Sequence, residues 1–460
     1  MLVLLGVKFK ANPTIEQKKI LSQWMGCAKT IWNAKCEDER YMTRFARNYY
    51  PIGTYAPIDQ AYSQYKDPEL TPWLSACPSQ ILRNSAVNWY STYCNFMQGK
   101  CGKPKRKKKS NTGSIHLTRE LFRFDQCEDN VTRLWIGSKK NNIGYLSFKR
   151  HKNFKAPNSI YIRKENGNYY ISFCYGESGK SEYLHNKGKL KELKNRKLGY
   201  LKQHIVGIDR GVHIPVQAND DSYDFTPEQK KNKSNHEKYV KRLQKKLSRQ
   251  VKGSARYKKT KHRLSVRHNK IANIRNDFCH KVSHSIVNKG QNKIIILEDL
   301  KTKNMSKRPE IKINEQGHYL PNKAKAKAGL NKSILDKAWH KLERYISYKA
   351  QKKDKAFFKV SAQFTSQECA ACGHIHPDNR KQQKSFVCIE CGYADNADRN
   401  AAMVIKKRAI NMILHSGTEL SNRCVLKTTK LDIVQGAKRN SSKDKSLDVV
   451  GCELPKKRCG

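Results

Sequence analysis

The sequence predicts a multidomain α/β protein: a small antiparallel barrel interrupted by a helical insertion, then an α/β domain with a cysteine-rich ribbon near its end. Three observations predict it. Short apolar runs at 134–136, 145–148, 159–162 and 169–173, parted by Gly and Asn, read as antiparallel strands. Two further apolar runs, closing on Asp209 and on Glu298, flank a long stretch of helical periodicity. Two Cys-x-x-Cys pairs, Cys369/Cys372 and Cys388/Cys391, are separated by fifteen residues.

In chain order, Leu2 to Phe9 (LVLLGVKF) reads as a strand that stops at Asn12-Pro13. Thr14 stands three residues before Gln17, the spacing of a capping box, and Ile20, Leu21, Trp24, Met25, Ala28, Ile31 and Trp32 then recur at helical spacing. Further helices are expected around Ile58 to Tyr65 and over Ser79 to Phe96, where Leu82, Ala86, Trp89 and Tyr93 mark one face. Because Leu2 to Phe9 is the one strand candidate ahead of these helices, it should join the barrel and leave the helices as an insertion. Gly176 to Gln203, polar and rich in Lys, reads as a linker.

Ile205 to Val212 (IVGIDRGV) and Lys293 to Leu300 (KIIILEDL) are strands of the fully buried kind, each ending on an acid. Thr302 to Leu330 is polar and reads as a mobile loop; Ile334, Leu335, Ala338, Trp339, Leu342, Ile346 and Ala350 then give one helix, and Ala356 to Val360 a strand. A last helix follows the ribbon. After Leu414 the periodicity stops, and 416–460 is expected to be disordered in isolation.

Lys and Arg total 93 against 39 Asp and Glu, a formal charge of +54. That surplus exceeds what solubility requires and points to a polyanion, nucleic acid before membrane. No apolar run reaches the ~18 residues of a membrane span, and Met1 to Lys8 lacks the features of a signal peptide, so a reducing cytosol is expected. The charge concentrates in two places. Cys101 to Ser110 (CGKPKRKKKS) includes Lys105, Arg106 and Lys107, either a solvated loop or a phosphate contact. Between Lys230 and Arg275 there are eighteen Lys/Arg and one acid, Glu237. There Tyr239, Leu243 and Leu247 form one apolar stripe and Ile271, Ile274, Phe278, Val282 and Ile286 another, which turns Lys241, Arg242, Lys245, Lys246, Lys258 and Lys259 toward a polyanion.

Each Cys-x-x-Cys lets one tight turn aim two sulfurs at a single ion, and Gly373 and Gly392 supply the backbone freedom the turns need. The spacing favours one structural Zn²⁺ over free thiols, disulfides or an iron–sulfur cluster; four thiolates leave no open position for chemistry. The eleven other cysteines, Cys27, Cys77 and Cys174 among them, show no paired spacing and read as buried thiols.

A strand-end acid alone is ordinarily a cap, as is an Asp before an alanine-containing helix. Asp209, Glu298 and Asp398 are weighed together because phosphodiester hydrolysis needs carboxylates from separate elements to hold two divalent ions about 4 Å apart.

At these residues the chain resembles the TnpB family, the RNA-guided nucleases carried by insertion sequences and related to type V CRISPR effectors. The resemblance runs in order through ANPTIEQKKIL with WMGCAKTIWN, PWLSACPSQIL, GIDRGV, RNDFCHKVS, ILEDLKTKNM, GLNKSILDKAW, and VSAQFTSQECAACGH joined to CIECGYADNADRNAA. It implies a RuvC-like RNase H fold whose catalytic acids are Asp209, Glu298 and Asp398, the last preferred to Asp395 because it lies two before Asn400. Arg210, where the family more often has leucine, is a departure that adds a positive charge beside Asp209.

The implied domains are an oligonucleotide-binding-like wedge barrel over 1–12 and 116–200, the latter including a linker, and a helical recognition domain over 13–115. A RuvC-like domain over 201–368, with a basic hairpin at 227–290, resumes at 392–415 after the zinc ribbon at 369–391; the tail is 416–460. On this reading the three acids hold two Mg²⁺, Asp209 bridging them, for in-line hydrolysis that leaves 5′-phosphate and 3′-hydroxyl ends. The partners implied are a guide RNA from the element's own end and target double-stranded DNA, cut next to a short adjacent motif, in a prokaryotic cytoplasm at the nucleoid. A nuclease-silent regulator on the same scaffold would lack an acid, and a direct transposase would have to join as well as cut; the presence of all three acids favours the nuclease.

Overall fold

The computed structural model describes residues 2–46, 59–108, 112–126, 131–178, 181–219 and 221–415. The tail expected over 416–460 lies outside them. β1 (Leu2–Ala11) leads into α1 (Ile15–Tyr41), where the Thr14 hydroxyl accepts from the Gln17 backbone N–H and the Gln17 side chain accepts from that of Thr14. The capping box read from the spacing is thus formed. Leu21, Trp24, Met25, Ala28 and Ile31 are its buried stripe, and α2 (Ser79–Met97) buries Ile81, Leu82, Ala86 and Trp89. Around 58–65 the expected helix is reduced to a 3-10 turn, Ser63–Tyr65, and Ile58 lies outside the described residues. Nearby, Asp59 and Asp67 side chains accept the backbone N–H groups of Ala61 and of Glu69 and Leu70, an alternative to helical bonds.

β2 (Gly113–Thr118), β3 (Phe122–Gln126), β4 (Val131–Gly137), β5 (Asn142–Lys149), β6 (Ser159–Glu165) and β7 (Asn168–Ser178) complete an antiparallel sheet in the order β2-β6-β7-β1-β5-β4-β3. β1 lies inside the sheet, paired with β7 from Leu2↔Ser178 to Ala11↔Tyr169, so α1 and α2 are inserted between two of its strands. The edge strands β2 and β3 are consecutive in the chain, and the Phe124 ring on β3 lies 5.7 Å from Phe173 on β7. Four strand spacings of a flat sheet would part them by about 19 Å, so the sheet is rolled around Phe9, Phe124, Phe148, Phe154 and Phe173. Cys174, which alternates with buried Phe173 and Tyr175, faces outward and is exposed rather than a buried thiol, as is Cys101.

The linker expected over 176–203 is largely helical. Ser181 caps α3 (Glu182–Lys194), α4 (Leu198–His204) follows, and Leu190, Leu193 and Leu201 are enough to dock both. Next come β8 (Ile205–Asp209), β9 (Val216–Ala218), β10 (Asp221–Tyr223), the hairpin of α5 (Pro227–Ser248) and α6 (Ala255–Asn288), and β11 (Ile294–Glu298). The stretch from 302 is not a bare loop: it forms α7 (Thr302–Met305), a small hairpin of β12 (Lys312–Ile313) and β13 (Tyr319–Leu320), and the start of α8 (Ala324–Asp336). The one helix expected through Ala350 is two, because Ala338 takes a left-handed φ of 55° between α8 and α9 (Trp339–Lys352). β14 (Ala356–Val360), β15 (Ser385–Val387), β16 (Ala394–Asn396) and α10 (Ala397–His415) end the described chain.

The second sheet runs β10-β9-β8-β11-β14, with β8, β11 and β14 mutually parallel and β9 and β10 antiparallel to their neighbours. It is covered on both faces, which explains the uninterrupted apolar runs. Val206, Ile208, Ile295, Leu297 and Phe357 pack on one side with Phe278, Val282 and Ile286 of α6 and Leu342 and Ile346 of α9. Ile205, Ile294, Ile296, Phe358 and Val360 pack on the other with α3, α4 and Ile405, Ala409 and Ile413 of α10. On α5 the buried stripe is Val240 and Leu243; Tyr239 is exposed and lies under Arg267, and Leu247 is half-buried. Among the described residues no helix is long and apolar enough to cross a membrane.

Candidate functional site

Side chains alternate faces along a strand, so Asp209 continues the parity of Ile205 and Glu298 that of Ile294 and Ile296, both toward α10. The β8–β11 register pairs Ile208 with Leu297 and makes Asp209 and Glu298 the next neighbours. α10 supplies Asp398 in its first turn, where Asn396 caps the helix by accepting from Asp398 N (3.0 Å) and Arg399 N (3.3 Å). α10 can lie this close because a Cβ on Gly207 would run into the Ala402 carbonyl and the Lys406 N–H. Gly207 is therefore what lets α10 carry Asp398 close to Asp209.

The electrostatics report the same convergence. Loss of water, then the Glu298 and Asp398 carboxylates, push the Asp209 carboxyl up to about 8, against the Arg210 backbone N–H and the Arg380 guanidinium. Burial raises Glu298 too; the Thr365 hydroxyl, which donates to its Oε1, and Arg210 and Arg408 oppose the rise. A buried carboxyl held up by two neighbouring acids is short of compensating charge, the environment a cation would satisfy. Asp395 and Asp299 are engaged elsewhere. Asp395 accepts from the Tyr393 hydroxyl at 2.8 Å and pairs with Arg399, and Asp299 pairs with Lys359 at 3.5 Å.

The cysteines form a tighter set. Their four Sγ atoms lie within 4.8 Å of one another, with Cys369–Cys391 at 3.7 Å and Cys372–Cys388 at 3.6 Å. Thiolates about 2.3 Å from a tetrahedral zinc stand about 3.8 Å apart, so the donor set fits such an ion. Gly373 and Gly392 have φ of 85° and 70°, the left-handed turns that a side chain would strain. Among the described residues this is the one group of potential ligands gathered so closely; carboxylates that share two ions need not meet in one sphere.

Three further residues, Asn379, Asn400 and Arg380, hold the ribbon together and tie it to α10. Buried Asn379 accepts from Ile389 N (3.0 Å) and donates to the Gln367 (2.9 Å) and His374 (3.2 Å) carbonyls, clamping the two turns. Buried Asn400 accepts from Ala370 N (3.0 Å) and donates to the Glu368 carbonyl (2.8 Å), fixing α10 to the first turn. Arg380 reaches from the ribbon to Asp398 Oδ1 at 3.3 Å. Asn400 was visible as part of the Asp-x-Asn-Ala-Ala pattern; Asn379 and Arg380 carry no local signal.

The basic residues divide. Lys241, Arg242, Lys245, Lys246, Lys258 and Lys259 are exposed, and no acid among the described residues pairs with them. Arg106 pairs with Glu37 at 2.9 Å, Lys107 sits 3.5 Å over the Trp32 ring, and the Lys105 carbonyl accepts from Trp32 Nε1, so that loop is folded back onto α1.

A covered α/β sheet with converging acids, tied to a four-cysteine ribbon that could hold a metal ion and carrying a hairpin with exposed lysines, defines a protein suited to a polyanion. Family descriptions match in the same layout: a helix-turn-helix domain of OrfB_IS605 over 1–35, OrfB_IS605 "Probable transposase" over 201–309, and the Cas12f1-like TNB domain over 339–405. "Putative RNA-guided DNA endonuclease InsQ" of Escherichia coli (strain K12) is 28% identical over 94% of this chain and 98% of its own. "Putative RNA-guided DNA endonuclease" of Streptomyces pristinaespiralis is 22% identical over 86% of this chain and 87% of its own. The fold is shared with a chain of the cryo-EM structure of the Cas12f1-sgRNA-target DNA complex, at a TM-score of 0.50 and 12% identity over 88% of this chain and 99% of that one. In layout and sequence the chain is similar to the insertion-sequence OrfB proteins, in keeping with the TnpB family that its motifs resemble.

Proposed function

We propose that the chain is an RNA-guided DNA endonuclease of a transposable element, working in a prokaryotic cytoplasm at the nucleoid. The observation that carries the reading is the approach of Glu298 and Asp398 to the buried Asp209 carboxyl, at the ends of two parallel strands and the start of the helix across them. Acids at the ends of neighbouring parallel strands, with a third on the helix across them, support a RuvC-like nuclease domain; the rolled sheet with inserted helices supports a wedge and a recognition domain. The three carboxylates would hold Mg²⁺, and Cys369, Cys372, Cys388 and Cys391 one Zn²⁺. Bound Mg²⁺ supplies positive charge at the attacking and leaving oxygens of the scissile phosphate. The protein's own part is to hold the acids, through Thr365 on Glu298 and the Asn396 cap under Asp398, and to offer the exposed lysines of the hairpin to guide and target backbones.

The test loads the protein with RNA transcribed across the end of its gene and offers matched double-stranded DNA, with Mg²⁺ and with a chelator. Cutting that needs the match, the RNA and the ion supports the reading. Matched binding without cutting would make the protein a nuclease-silent regulator.

A further inference from the structure

Arg210 follows Asp209 directly, yet by strand parity its side chain leaves on the opposite face, toward α9. It is 3% exposed. Its Nη1 donates to Glu343 Oε2 at 2.9 Å and its Nη2 to the backbone carbonyl of Glu298, while its own backbone N–H serves the Asp209 carboxylate. Glu343 also receives Lys359 at 2.6 Å, and Lys359 reaches Asp299 at 3.5 Å. Two cations and two anions from β8, α9, β14 and the end of β11 thus form a chain of ion pairs beneath the acid cluster. A buried arginine is costly unless paired, and this one is spent on a main-chain carbonyl between two strands. Leucine at 210 would fill the space but could not bridge β8 to β11 through the Glu298 carbonyl.

We propose that Arg210 is a positioning residue: its guanidinium, held by Glu343 and Lys359, fixes the Glu298 backbone relative to Asp209 and thereby sets the cation affinity of the acid cluster. The inference rests on the metal-binding reading of the three acids. Residues that orient ligands from behind typically alter metal affinity by about 10- to 100-fold when replaced.

The test uses the full-length, zinc-loaded protein and follows its melting temperature as Mn²⁺ is added, counting the part of the shift that Asp209→Asn removes. Arg210→Lys keeps the charge but has one head for two acceptors. Arg210→Leu with Glu343→Leu removes the buried pair together and should melt, in chelator, near the wild type. Both should need at least about tenfold more Mn²⁺ for half the shift. Matching Mn²⁺ requirements in Arg210→Lys and wild type would overturn the proposal, as would a double variant that regains wild-type Mn²⁺ affinity along with stability. Should the double variant fail to fold, Arg210→Lys decides alone. If the wild type shows no shift that Asp209→Asn removes, the acid-cluster reading itself falls and takes this one with it, a different result from an Arg210 variant that binds normally.

Discussion

The cysteine cluster and the carboxylate cluster are both gatherings of side chains of the kinds that bind metals, built in opposite ways. The cysteines come from two turns within residues 369–391 and bring their sulfurs to 3.6 and 3.7 Å by local backbone geometry. The acids come from 209, 298 and 398, and meet because two parallel strands lie side by side and α10 crosses one of them at Gly207. A ribbon this small, with Phe386 and Ala397 as its core, is expected to depend on an ion at the four cysteines to fold. The acid cluster sits in a sheet whose two apolar faces hold it together regardless, and burial with two acids nearby disfavours the charged form of Asp209. One ion should therefore be part of the structure, and the other a ligand of it.

The sharpest break between the two is in the sign of mutational effects. Asp209→Asn, Glu298→Gln and Asp398→Asn should each abolish DNA cutting while guide and target binding survive, because the basic hairpin is untouched. The same changes should leave the metal-free protein as stable as the wild type or more so. Amide variants that still cut in a guided cleavage assay would mean that the wrong acids have been named.

Cys372→Ser or Cys391→Ser should do the reverse and lower stability sharply, since structural zinc in isolated fingers contributes on the order of 10 kcal/mol of folding free energy. One tightly held zinc per chain is expected by elemental analysis. Purified protein without it, or mutants that melt like the wild type, would reduce the ribbon to a set of free thiols.

A smaller effect separates the clusters by pH. The Asp209 carboxyl is raised to about 8 from an ordinary 3.8, so between those values the folded state holds a proton that the unfolded state has lost. Stability contributed by that proton is present at low pH and falls as pH rises toward 8. In chelator the wild type should melt lower at pH 8 than at pH 6, and Asp209→Asn should remove that part of the slope. Equal slopes in the two proteins would show that the Asp209 carboxyl is not raised in the folded state.

The same contrast explains what could be read from the chain. The cysteine spacing, the Thr14 capping box and the buried strands at 205–209 and 294–298 are local patterns and were legible. The acids could be nominated from their local contexts, but nothing local joins Asp209 to Asp398; Gly207 and Ala402, which allow the contact, look unremarkable in sequence. Arg380 and Asn379 were missed because their roles exist only once the ribbon has closed. Where tertiary contacts decided, patterns misled. Three leucines made helices of a Lys-rich stretch taken for a linker, and Ala338 broke a helix whose apolar periodicity runs on without interruption.

The smallest expected effect concerns the two basic regions, which look alike in composition and differ in their contacts. On the hairpin, Lys245 and Lys246 are exposed and free of acids among the described residues, whereas Arg106 is already paired with Glu37 and Lys107 stacked on Trp32. A lysine that neutralises a phosphate releases a counterion and adds about 0.9 to the salt slope of binding on duplex. Lys245→Glu with Lys246→Glu should therefore weaken nucleic-acid binding and flatten the slope by roughly two units if both contact phosphate. Arg106→Glu should instead set two acids side by side on α1 and its loop, and lower stability more than it changes the slope. Binding measured from low to high salt, beside melting of the free protein, separates the two. If Arg106→Glu flattens the slope as strongly as the hairpin pair does, the loop must leave Glu37 on binding and join the phosphate-contacting surface; if the hairpin pair leaves the slope unchanged, that face is solvated surface and the grip lies elsewhere.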